Sequence, residues 1–122
     1  MSMTSDYDIT ASIRNASHEA IQAAFEQLFP GIKVRSRMYG LELKYADEQV
    51  ELHVECPNPS DGTYFLDTKF RGTETEMQAL GNRIGRELVQ QGLDFHLGGQ
   101  AYDAQDEPVG EEWNFRSVPE GE

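Results

Sequence analysis

From Tyr7 the apolar residues Tyr7, Ile9, Ala11 and Ile13 alternate with the polar Asp8, Thr10, Ser12 and Arg14. A period of two belongs to a strand with one face against a core, so a β-strand is expected first. The pattern then changes: Ile21, Ala24, Phe25 and Leu28 recur at helical spacing as one apolar stripe, with Asn15 or Ser17 placed to cap it. Pro30-Gly31 stops this helix, because proline lacks the N–H that a further turn needs.

The next segment is extended, with Val34, Ser36 and Met38 pointing one way, Arg35, Arg37 and Tyr39 the other, and Leu41, Leu43 and Tyr45 following. Gly40 falls where the alternation changes phase. A glycine there marks a bulge or bend, and residues 32–45 are read as one long kinked strand in preference to two short ones. Ala46 to Gln49 is polar and short enough for a hairpin loop, after which Val50, Leu52, Val54 and Cys56 alternate. Those two strands are expected to be antiparallel neighbours. Pro57 to Gly62 is the densest turn signal in the chain, and Thr63 to Phe70 reads as another strand.

Thr73 and Glu76 have the spacing of a capping box, so a second helix is expected from Thr73. Met77, Leu80, Ile84 and Leu88 give its stripe, and Gly92 is placed as a left-handed C-terminal cap. Gly81 and Gly85 beside that stripe each lower helix propensity by about 1 kcal/mol. That cost points to a helix backbone packed tightly on the sheet. Phe95 and Leu97 open another extended segment running through Gly98-Gly99 to Tyr102, Asp103 to Gly110 makes the return, and Trp113 and Phe115 alternate with Asn114 and Arg116 in a last strand. Residues 1–6 and 117–122 are expected to fray as tails.

The order is then strand, helix, three strands, helix, two strands. It implies an α+β two-layer sandwich, with a curved, mainly antiparallel sheet and both helices on one face. A βαββαβ path with added strands is one threading of it, and the first strand–helix–strand connection is open to either direction. At 122 residues the chain fits one domain spanning 1–122.

Composition narrows the function classes. The longest apolar runs are far short of the roughly 20 residues that cross a bilayer, and the polar run after Met1 has no signal-peptide core. A single cysteine, Cys56, rules out an intrachain disulfide and fits a reducing compartment, so the cytoplasm is the expected location. With 22 acidic against 10 basic residues the net charge is −12, which repels nucleic acid and anionic lipid. The imbalance grows along the chain: residues 94–122 carry eight acidic side chains and only Arg116 as a basic one.

Motifs for chemistry are few. No P-loop, nucleophile elbow or H-E-x-x-H is present, and His18, His53 and His96 have no partner at metal-ligand spacing, so no metal or cofactor is expected. Cys56 shares its face with Leu52 and Val54 and reads as a buried thiol. Glu51, His53 and Glu55 share the opposite face, either as a His between carboxylates or as an ordinary solvated surface.

Two surfaces remain. Tyr102, Asp103, Asp106, Glu107, Glu111, Glu112 and Trp113 form an acidic C-terminal face with aromatic anchors, suited to a basic protein partner. A non-enzymatic binding domain of inhibitor, immunity or adaptor type is therefore the leading expectation. The alternative is a small-ligand site or minor enzyme using Arg35, Arg37, Tyr39 and His53, whose guanidinium forks suit an oxyanion. The arginines have a plainer use in cross-strand pairs with Glu51, Glu55 or Asp67. A homodimer through strand edges is a third possibility.

Overall fold

The computed structural model describes residues 5–14, 16–37, 40–58, 62–103, 105 and 107–115. Seven strands and two helices follow in the order β1 (Ser5–Arg14), α1 (His18–Leu28), β2 (Lys33–Arg37), β3 (Gly40–Ala46), β4 (Val50–Asn58), β5 (Thr63–Gly72), α2 (Glu74–Gln90), β6 (Asp94–Tyr102) and β7 (Pro108–Asn114). The strands form one sheet in the order β2-β3-β4-β5-β1-β6-β7, with every neighbouring pair antiparallel. The α+β sandwich expected from the pattern is what forms.

Two local expectations are corrected. Residues 32–45 are not one kinked strand: β2 and β3 turn back on each other and pair, Val34 with Leu43 and Arg35 with Glu42. A bend and a tight turn both shift the phase of alternation at Gly40, and only the pairing tells them apart. The βαββαβ path with added strands is borne out: β1, α1, β4, β5, α2 and β6 make it in the spatial order β4-β5-β1-β6, with β2–β3 inserted after α1 and β7 added after β6. Ser5 and Asp6, placed in a frayed tail, belong to β1 and stand opposite Gly72 and Arg71. Residues 117–122 lie outside the described part.

Both helix starts have a local cause. Ser17 caps α1 by accepting from Ala20 N at 3.1 Å. At α2 the capping box is complete: Thr73 Oγ1 accepts from Glu76 N at 3.1 Å, and Thr73 N donates to Glu76 Oε1 at 2.9 Å. Gly92, at φ +73°, takes the left-handed position after α2 that a side chain would strain.

The core lies between the helices and one face of the sheet. Ile21, Phe25 and Leu28 from α1 and Met77, Ile84 and Leu88 from α2 meet Ile9, Ile13, Leu43, Leu52, Val54, Tyr64, Leu66 and Leu97. Each large side chain buried this way contributes about 1.5–3 kcal/mol. Thr68 Oγ1 and Tyr64 Oη are buried in this core without a hydrogen-bond partner among the described residues. Burial pushes the Tyr64 phenol up to about 12, with the neighbouring Cys56 adding to the effect. It therefore stays protonated at neutral pH.

The helix glycines serve the sheet in a specific way. A Cβ on Gly81 would sit 2.4 Å from Cζ3 of Trp113, and one on Gly85 would sit 2.5 Å from Cδ1 of Phe115. The tight packing expected of this helix is made by two aromatic rings from β7 and the residue after it, set into the glycine positions. They tie the sheet's last strand to α2.

Candidate functional site

One sheet face is covered by helices, so the other is open, and the antiparallel register aligns its side chains in rows. Asp8, Lys69 and Glu51 form one row, Thr10, Asp67, His53, Lys44 and Lys33 the next, and Ser12, Phe65, Glu55, Glu42 and Arg35 a third. Charges in the middle of the sheet pair across strands. Lys69 Nζ is 3.8 Å from Asp8, Arg71 Nε donates to Asp6 at 3.1 Å, and Arg14 Nε is 3.7 Å from Asp94.

His53 sits in this face between two carboxylates, at 2.8 Å from Glu42 Oε2 and 3.4 Å from Glu55 Oε1. The sequence offered Glu55 from the same strand. Glu42, the closer partner, comes from β3 across the β3–β4 hairpin, whose pairing is expected from the sequence but whose register is not. Cys56 is buried on the opposite face, as parity required. Among the described residues no group of three His, Cys, Asp or Glu side chains is arranged to hold a metal ion.

Arg35 lies at the β2 edge, two strands from His53, with Glu42 as its cross-strand neighbour in place of the expected Glu51, Glu55 or Asp67. Tyr39 and the Arg37 side chain lie outside the described part; the Arg37 backbone pairs with Gly40. A depression of about 540 Å³ beside Arg35 is lined by Lys33, Val34, Arg35, Glu42 and Lys44. A neighbouring one of about 590 Å³ reaches Tyr45, Leu52 and His53. Lys33 and Lys44 were not picked out from the sequence. Their juxtaposition depends on the β2–β3 register.

The acidic face lies at the other end of the sheet. Asp103 organises the turn after β6, accepting from Gln105 N at 2.9 Å and Glu107 N at 3.0 Å. Across from β6, the edge strand β7 is irregular: Trp113 pairs with Gly99 and Val109 with Ala101, which leaves extra residues opposite Gln100. Gly110, at φ +75°, allows the bulge, and Gln100 Nε2 holds it by donating to the carbonyls of Val109 at 3.0 Å and Gly110 at 3.2 Å. Glu107, Glu111 and Glu112 are exposed on this strand and its approach, with no ion pair among the described residues. Asp106 lies outside the described part. Trp113 corrects the expectation of an outward anchor: its ring is half-buried against Gly81, so it builds the core instead.

Next to this edge is a cleft of about 570 Å³ where strand ends converge, lined by Asp6, Asp8, Asp47, Glu48, Glu51 and Asp103 against Lys69 and Arg71, with Tyr102 in its wall. Asp47 accepts three hydrogen bonds at the rim of this cleft. Amide hydrogen bonds from Gln49 above all, and also from Val50, together with one from the Tyr45 hydroxyl, hold its carboxyl below the usual carboxylate range. The same bond to Asp47 raises the Tyr45 phenol.

The chain matches no protein-family model and no curated protein. No helix among the described residues is long and apolar enough to cross a membrane.

Proposed function

We propose that this chain is a non-enzymatic binding domain whose acidic C-terminal face engages a basic protein partner, as inhibitors, immunity proteins and adaptors do, in the cytoplasm. One observation carries the proposal: the unpaired carboxylates Glu107, Glu111 and Glu112 adjoin the Asp103 turn and a cleft with six carboxylates against two cations. Paired charges on a sheet face are spent within the fold. Unpaired ones of a single sign project a field that attracts a cationic surface and speeds its encounter.

With Trp113 turned inward, the apolar contacts for such a partner come from Val109, 48% exposed on the edge strand, and Tyr102 in the cleft wall. The bulge and Pro108 make β7 a poor template for adding a strand, so recognition runs through side chains. The test is affinity capture from source cells with the wild-type chain and with Glu107→Gln/Glu111→Gln/Glu112→Gln. The expected result is a near-stoichiometric basic protein, released by salt and depleted in the variant. A capture profile unchanged by the substitutions, with the variant folded, rejects the reading.

A further inference from the structure

In a chain of net charge −12, a cation without a carboxylate partner stands out. Three such cations lie together at the corner of the open face opposite the acidic one. Lys33 and Lys44 are direct cross-strand partners, and Arg35 follows two residues along β2. Like charges placed directly opposite each other in neighbouring strands are destabilising, because the side chains leave the backbone only about 5 Å apart. None of the three forms an ion pair among the described residues, and all are exposed. Glu42, the one carboxylate lining their depression among the described residues, is 14% exposed and turns Oε2 toward His53 at 2.8 Å.

A fold with 22 acidic residues has ample means to neutralise this corner. It instead gathers three cations around a concavity of about 540 Å³. We infer that Lys33, Arg35 and Lys44 form a binding site for a small ligand carrying two or more oxyanion charges, of the diphosphate or polycarboxylate kind. Arg35 supplies a planar fork that takes two oxygens at once, and the lysines supply point charges on either side. A bound anion turns their mutual repulsion into a shared attraction. The acidic surface elsewhere repels the same ligand, which confines binding to this corner.

The test is a titration of ¹⁵N-labelled protein with pyrophosphate and, separately, with citrate, against sodium chloride at matched ionic strength. Saturable amide shifts confined to residues 33–35 and 42–44 are expected, with a rise in Tm. Saturation by pyrophosphate alone assigns a phosphate ligand, by citrate alone a polycarboxylate, and by both the shared oxyanion chemistry. In Lys33→Gln/Lys44→Gln the shifts and the Tm rise should vanish, while the anion-free Tm equals or exceeds that of the wild type because the repulsion is gone. Arg35→Gln, which leaves the lysine pair intact, should weaken binding several-fold and gives a second readout if the double variant folds poorly. Shifts that fail to saturate, that extend equally to Arg14, Lys69 and Arg71, or that persist in the variants would overturn the assignment.

Discussion

At the scale of single residues, the polar groups inside the core and the ordered carboxylate at its rim make the sharpest statements. Thr68 is fully buried between Leu66 and Phe70 along β5, and its hydroxyl has no partner among the described residues. Burying a hydroxyl without a hydrogen bond costs about 1–3 kcal/mol. Thr68→Val keeps the shape and removes that cost, so urea unfolding should show a gain of about 1 kcal/mol. A loss of similar size would mean that the hydroxyl is satisfied. Asp47 works in the opposite sense. Its folded carboxyl titrates below its unfolded value, so its contribution is present above about pH 4 and disappears as pH falls through the folded value. Asp47→Asn should therefore flatten the acid limb of the stability curve, measured as urea midpoint against pH. An unchanged limb would show that these amide bonds do not favour the ionised form.

At the scale of elements, the contact between α2 and the last strand carries the next expectation. Trp113 occupies the space that a side chain at Gly81 would take. Gly81→Ala should cost about 1–3 kcal/mol through overpacking, yet in a Trp113→Ala background it should stabilise by up to about 1 kcal/mol through helix propensity. A double-mutant cycle by chemical denaturation reads the sign change, and additive effects would contradict the packing. This contact also shows what the sequence carried. The paired glycines in a helix stripe announced a close approach, but the approaching group lay about thirty residues on, where no local period points. Periods of two and of three to four residues made most elements legible, along with the capping box and the burial of Cys56. The turn near Gly40 was not, because a hairpin and a kink leave the same alternation. That ambiguity concealed Lys44 opposite Lys33, and the unfixed β3–β4 register concealed Glu42 beside His53, since a cross-strand neighbour exists only once the register is fixed.

At the scale of the whole molecule, the sheet separates its unpaired charge. Among the described residues, ion pairs occupy the middle of the open face, three unpaired cations gather at the β2 corner, and the unpaired Glu107, Glu111 and Glu112 line β7 and its approach. Among the described side chains, each free edge thus carries one sign. A symmetric dimer through either edge would set like charges against each other, which disfavours the homodimer that the exposed strands alone would suggest. On the proposed reading, the acidic end is the surface for a different, basic chain. The most direct measurement of that claim is the association rate of the captured partner as a function of ionic strength, for the wild type and for Glu107→Gln/Glu111→Gln/Glu112→Gln. A rate that falls steeply with salt, with a clearly shallower dependence in the variant and little change in dissociation, is expected for a steered encounter. A rate indifferent to salt, or the same dependence in both proteins, would contradict it.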